Sequence, residues 1–403
     1  MSTLKRTTSR MGNLVVVLVV STIALMAMAD DTVTKGAALP PKVAGKARLA
    51  HVPLMETTAI AAQKGWLQEE FAKYNAKADL VLSSSYGGGA TVAALLDRGD
   101  LHIVSLMMNM SMQYPAQGFD TTVIWGSTVV NPRRAQTIVL ADSDIRSVSE
   151  LKGKTLAASV LSCPYYASME ALKAQGVTVD NDLQKGDLRF VNISGAAATS
   201  AFLSGRFEGF ALHPASSTTA SLFIQDQIRT LTTAIPNGIY VTSGGRSMQF
   251  ASRPWARENP DLVKAYLTAQ DRVVRWLAAD KGAHLDEAAT ITSRALRLPK
   301  AVALFALKDQ SETAWNFGET DANVLVGHMK KFQAYQLSVK DPTFTKAHLT
   351  DKQIEALIDR RFFAGGEYFV DVREKPGTSP KGASVLPSGG PTIATWTPGP
   401  SPP

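Results

Sequence analysis

The sequence predicts an α/β fold built as two units in tandem. Three observations predict it: short β-type apolar runs alternate with helical stretches, glycines close those stretches, and the pattern restarts near residue 137. Arg48 to Val52 reads as a strand, and Thr57 to Lys64 as a helix stopped by Gly65. Glycine is the expected stop because it enters the left-handed conformation without a Cβ penalty. Asp79 to Ser83 reads as a strand and Gly89 to Arg98 as a helix ending at Gly99. Leu101 to Ser105, Leu106 to Gln113 and Thr122 to Trp125 follow as strand, helix and strand.

The second unit opens with a strand at Thr137 to Ala141. Ser147-Val148-Ser149-Glu150 has capping-box form and starts a short helix before Gly153. A strand at Thr155 to Ala158, a helix at Tyr165 to Ala174 and a strand at Leu188 to Ile193 come next. Ala196 to Ser204 reads as a helix and Gly209 to Leu212 as a strand. Alternation of this kind predicts mainly parallel sheets covered by helices. Beyond Ile239, Tyr240 to Thr242 and Met248 to Ala251 read as strands. Asn259-Pro260 begins a long amphipathic helix, with proline in the first turn. Helices are then expected over Leu285–Leu296, Lys300–Leu307, Thr320–Tyr335 and Thr350–Arg360.

The 403 residues, 45% of them hydrophobic, suffice for two cores. Lys5, Arg6 and Arg10 precede an apolar run from Leu14 to Met28, and Ala27-Met28-Ala29 has small-x-small form. A run of about fifteen residues is short for a membrane span, which needs about 20. Residues 1–29 are therefore expected to be a cleaved export signal rather than a retained anchor. No cysteine follows the run, which argues against a lipid anchor. The full chain carries a formal +7, and losing the three basic residues of the signal leaves it mildly basic. With no dense basic tract interleaved with aromatics, nucleic-acid binding is not expected. The single cysteine, Cys163, excludes an internal disulfide framework and a cysteine-based zinc cluster. Residues 30–46 read as a linker. Residues 375–403, rich in Pro, Gly, Ser and Thr, read as a disordered tail.

Three segments carry a family resemblance. Gly65-Trp66-Leu67-Gln68-Glu69-Glu70-Phe71, after Lys64, is similar to a "KG(F/W)(F/L)xxE" stretch. Asp144 to Lys154 resembles "(I)xSxxDLKGK", and Ser252 to Val263 resembles "(R)xFAxxxPxxV". In that order they resemble the solute-binding proteins of ABC transporters for nitrate, taurine and aliphatic sulfonates, over roughly Arg48 to Phe363. The resemblance implies a periplasmic binding protein fold of type II: two Rossmann-like lobes joined by crossover strands, with a ligand in the cleft between them. Residues 47–141 and 241–365 would form lobe one, with the C-terminal helices packed on it, and residues 142–240 lobe two.

Ligands of open parallel sheets bind outside the carboxyl ends of the strands, where helix N-termini offer free N–H groups to anions. That rule and the resemblance select Met55, Thr57 and Thr58; Tyr86, Gly87 and Gly88; Ser105 and Met107; and Ser162, Tyr165 and His213 as candidate ligand-binding residues. Cys163-Pro164 and His213 depart from the family's usual residues and point to a less typical ligand. Arg133 and Arg134 form either an oxyanion clamp or, with more weight, a solvated surface pair. Met107, Met108, Met110 and Met112 cannot all face one ion from a helix, so soft packing outweighs a Cu(I) site.

The function expected is that of a periplasmic receptor, exported through its signal, that captures a small organic anion, sulfonate- or carboxylate-like. Its partners would be a membrane permease and its ATPase; a monomer with no cofactor and no metal is expected. No Ser–His–Asp order, HExxH or P-loop pattern is present. The alternative is an enzyme on the same scaffold, desulfinase-like, using Cys163 as nucleophile and His213 as base.

Overall fold

Two strands that run against their sheets organise the molecule. Arg48–Leu54 (β1) and Ala76–Leu82 (β2) pair in parallel. Ile103–Met107 (β3) and Thr121–Gly126 (β4) do not pair directly. Ser247–Ser252 (β10) lies antiparallel between them, although it enters more than a hundred residues later. His102 donates its N–H to the His51 carbonyl at 2.8 Å, so β3 lies beside β1. The second sheet has the order β7-β6-β8-β5-β9. Thr155–Ala158 (β6) pairs in parallel with Arg189–Asn192 (β7) and Gly209–Leu212 (β8). Gln136–Leu140 (β5) is antiparallel to β8 and to Ile228–Thr233 (β9). The sequence places β5 within the span of lobe one; its ladder is in the second sheet.

This computed structural model describes residues 47–82, 89–128, 135–159, 162–178, 186–193, 195–213, 217–278, 283–311, 318–339 and 348–371. The described residues fall within one compact unit. The expected export signal, linker, C-terminal tail, Arg133, Arg134, Tyr86, Gly87 and Gly88 lie outside the described residues.

Helices cover the sheets where the apolar periodicity demands it. Glu56–Gln63 (α1) ends as expected, and Gly65, with φ of +78°, turns the chain into Trp66–Ala72 (α2). Helix α2, of only seven residues, is not among the elements expected from the sequence, where the helical pattern ends at Gly65. Gly89–Arg98 (α3) stands as expected, and Met108–Ala116 (α4) starts two residues later than predicted. Cys163–Ala174 (α5), Gly195–Leu203 (α6) and Ser217–Ile224 (α7) belong to the second sheet's crossovers. Arg253–Glu258 (α8) and Pro260–Ala278 (α9) follow β10. Neither α7, α8 nor β9 was read from the sequence.

The long helix α9 packs against α1 and α2. Arg48 anchors it through Asn259 Oδ1 at 3.2 Å and through a two-pronged bond to Asp261, whose side chain is 3% exposed. Leu285–Leu296 (α10) packs on α1, and Lys300–Ser311 (α11) on α10. Ala322–Ser338 (α12) is N-capped by Asp321, whose carboxylate accepts from the Asn323 N–H. Asp351–Ala356 (α13) carries a capping box between Thr350 and Gln353. It ends earlier than expected because the chain leaves it to pair with β4: Val123 donates to Leu357 O, and Asp359 to Val123 O.

Tyr240 to Thr242, predicted as a strand, is instead the start of a π-type turn over Tyr240–Gly244. The reason is local hydrogen bonding. Both carboxylate oxygens of Glu170, on α5, accept from the N–H groups of Ile239 and Tyr240, at 2.7 and 2.9 Å. Those donors are satisfied without a partner strand.

Candidate functional site

The carboxyl ends of the parallel strands carry most of the candidate residues, and the local chemistry of each differs. Met55 caps α1 in extended conformation and is half-buried. Its N–H donates to Thr58 Oγ1 at 2.8 Å, and the same hydroxyl donates to the Pro53 carbonyl at 2.5 Å. Thr58 is thus fully engaged in closing its own loop. Thr57 is different: it is 1% exposed, and its hydroxyl has no hydrogen-bond partner among the described residues.

Ser105 lies opposite Gln249 in the β3–β10 ladder, and Gln249 lies opposite Trp125 in β4. Paired residues of antiparallel strands point to the same face, so these three polar side chains form one rung. Gln249 Oε1 and Trp125 Nε1 are both buried without a partner among the described residues. Neither was selected from the sequence. A glutamine alternating with Met248 and Phe250 in a buried strand was the available signal. Met107 is half-buried at the start of α4, while Met108 and Met112 are fully buried in the main core.

On the second sheet, Ser162 caps α5, its hydroxyl accepting from the Tyr165 N–H at 3.3 Å. His213 is half-buried just after β8, the parallel neighbour of β6. Ser162 and His213 therefore leave the same edge of the sheet on adjacent strands. Tyr165 is turned inward: it is 5% exposed, edge-on to Tyr166 and Phe190. Cys163 is 7% exposed within the core.

The segments joining the sheets converge on Arg246. Its guanidinium donates to the carbonyls of Ser127 at 2.8 Å and of Thr128, on the outgoing connection, and to Thr242 O at 3.4 Å on the return. Arg246 is 7% exposed, and burial pulls its pKa down to about 10 despite the opposing charge of Glu319. Ser243 and His328 Nδ1 lie 3.1 Å apart beside it. Burial first, then the charges of Arg246 and Lys331, lower His328 to about 4. A base whose pKa is depressed by folding stays neutral in the native state while the unfolded chain takes up a proton. Stability is therefore expected to fall as pH drops from about 6.5 toward 4. His328→Gln is expected to flatten that part of the curve, measured as urea midpoints at pH 7.5 and 5; equal pH dependence in both proteins would contradict it.

Among the described residues no group of three or more His, Cys, Asp and Glu side chains is arranged to hold a metal ion. No helix among them is long and apolar enough to cross a membrane.

Two α/β lobes, each holding one antiparallel strand that follows a crossing of the chain between sheets, define the periplasmic binding protein class of fold. Solved structures agree. The alkanesulfonate-binding protein SsuA from Xanthomonas axonopodis pv. citri, bound to MOPS, superposes with a TM-score of 0.61 at 16% identity, covering 78% of this chain and 99% of that one. The periplasmic nitrate-binding protein NrtA from Synechocystis PCC 6803 gives 0.55 at 12% identity, covering 78% and 87%. A mutant of DszB in complex with biphenyl-2-sulfinic acid gives 0.53 at 13%, covering 80% and 97%. Residues 57–282, more than half of the chain, match the family described as NMT1/THI5 like, and the chain belongs to that family. A search of curated protein sequences found no match.

Proposed function

We propose that this protein is an extracytoplasmic solute-binding receptor of an ABC importer, exported to the periplasm, that captures a small organic anion in the cleft between its lobes. The observation that carries this reading is a pair of α/β sheets in which strands β1, β3 and β6 are each followed by a helix, α1, α4 and α5, while the two connecting segments are tied together at Arg246. Those helices begin at the carboxyl ends of their strands, α1 and α4 on the first sheet and α5 on the second. Helix N-termini in that position suit the oxygens of a sulfonate or carboxylate. In this reading lobe one spans 47–141 and 241–365 less β5, and lobe two spans 142–240 with β5. Met55, Ser105, Met107, Ser162 and His213 contact the ligand together with Thr57 and the Tyr86-Gly87-Gly88 loop. Thr58 and Tyr165 shape the loops that carry them. The half-buried methionines favour a ligand with an apolar body.

The likeness to SsuA and NrtA supports a receptor, and the family membership is compatible with it. The desulfinase-like alternative would use Cys163, and its burial disfavours that role. The test is mass spectrometry of material that co-purifies with the protein, followed by calorimetry with alkanesulfonates, carboxylates and nitrate. Binding of a sulfonate or carboxylate without turnover is the expected result. Stabilisation by nitrate alone would sink the organic-anion reading. Rapid alkylation of Cys163 in the folded protein at neutral pH would favour the enzyme.

A further inference from the structure

Apart from the connecting segments and the α5–α12 contact packed on them, the two lobes meet through a small apolar cluster outside the main core. Ala220, Val302 and Phe305 are buried together, at 0%, 3% and 6% exposure, with Phe223, Ile224 and Leu298 packed around them. Ala220, Phe223 and Ile224 lie on α7, which sits between β8 and β9 of the second sheet. Val302 and Phe305 lie on α11, which is carried by α10, and α10 rests on α1 of the first sheet. The rings of Phe223 and Phe305 stack with centroids 6.1 Å apart and planes 17° from parallel. Phe223 also packs against the core of the second sheet, so the cluster is tied to that lobe by the same side chain.

Continuous cores resist separation, because removing one side chain opens a void among many neighbours. A cluster of a few side chains, outside the main core and tied to the second sheet through Phe223, can part from α11 and re-form as a unit. It is also placed to sense the cleft: α7 begins four residues after His213, at the edge where the ligand is proposed to bind.

We propose that the α7–α11 contact is a clasp, an apolar latch that holds the lobes closed at a point apart from the two connecting segments and sets how long a ligand is retained. The retention part rests on the receptor reading above; the clasp itself does not. Closing the clasp lowers the free energy of the closed form alone, so it raises the fraction of molecules competent to hold a ligand. Opening it swings α7 away with the second sheet while α11 stays with α10.

The experiment measures distance without ligand. Nitroxides at Ser204→Cys and Glu258→Cys, in a Cys163→Ala background, report the spacing between the second sheet's α6 turn and α8 of the first. In Phe305→Ala, about half or more of the population is expected to shift to a longer, broader distance, with circular dichroism unchanged. Phe305→Leu, which keeps an apolar side chain, is expected to retain the short distance. An unchanged distribution in folded Phe305→Ala overturns the clasp. Should that variant not fold, Val302→Ala is measured instead. It is expected to shift in the same direction by less, and no shift there overturns the clasp equally.

A second arm uses MOPS as the probe. Phe305→Ala is expected to bind it about tenfold more weakly, with the change in the dissociation rate. Failure of the parent protein to bind MOPS or any other organic anion counts against the receptor reading, and the distance measurement still decides the clasp. A lengthened distance with unaltered MOPS release overturns the retention role.

Discussion

Arg246→Met is expected to lower the unfolding free energy by about 3 kcal/mol, read as a fall in the urea midpoint at constant slope. The guanidinium is a buried donor shared by Ser127 O, Thr128 O and Thr242 O. Its removal strips donors from carbonyls at which both connecting segments are held, and each stranded acceptor costs about 1–3 kcal/mol. Relief of the buried charge offsets part of that, as the lowered pKa of about 10 indicates. The methionine fills the volume and so isolates the loss of hydrogen bonding from the loss of packing. Arg246→Lys is expected to recover part of the stability, because an ammonium lacks the planar fork that reaches several carbonyls. A midpoint unchanged in Arg246→Met would show that the carbonyls find other donors and that Arg246 does not hold the connections together.

The second large effect is expected at Gly244. A Cβ there would lie 2.2 to 2.7 Å from three atoms of the Phe332 ring. Gly244 has no positive φ, so the glycine is required by space and not by backbone conformation. Gly244→Ala forces either the π-type turn or helix α12 to move, at about 2 kcal/mol. Phe332→Leu removes the obstructing ring edge, so the double variant Gly244→Ala/Phe332→Leu is expected to be more stable than the sum of its single changes predicts. Additive losses in this cycle would mean that the two residues do not oppose each other. The same packing explains the turn's burial: Phe332 and Tyr166 stack edge to face at 5.2 Å, and Gln336 donates to Tyr166 Oη at 2.9 Å. Helix α12 of the first lobe and α5 of the second thus pack on each other and on the turn.

Much of the local structure was legible. Glycine stops placed the ends of α1 and α3, Pro260 opened α9, and the strands β6, β8 and β10 were found within a residue or so. These are short-range effects, in which one residue's conformational preference decides the outcome. The misses fall where longer-range contacts decided it. Tyr240 and Val241 have strand propensity, yet Glu170, seventy residues earlier, accepts the N–H of Tyr240 and holds a turn. Helix α13 stops short because β4 offers a bonding edge to Leu357 and Asp359.

The candidate site was legible in part for the same reason. Ser162 as a helix cap and Met55 at the start of α1 follow from position along the chain. Thr58 and Tyr165 follow from the same positional rule and the resemblance, and folding turns both inward, the hydroxyl of Thr58 to its own loop and the ring of Tyr165 to Phe190. The unpartnered pair Gln249 and Trp125 becomes a pair only when β10 inserts beside β4.

By itself, then, the sequence determined an α/β chain in two tandem units, since hydrophobic period and glycine placement act over a few residues. Tertiary structure alone decided that β5 joins the second sheet, that β10 inserts between β3 and β4, that Arg246 gathers both connections, and that α11 reaches across to α7. Each of those depends on residues that are far apart in the chain and become neighbours only when the sheets and the helices on them are buried together.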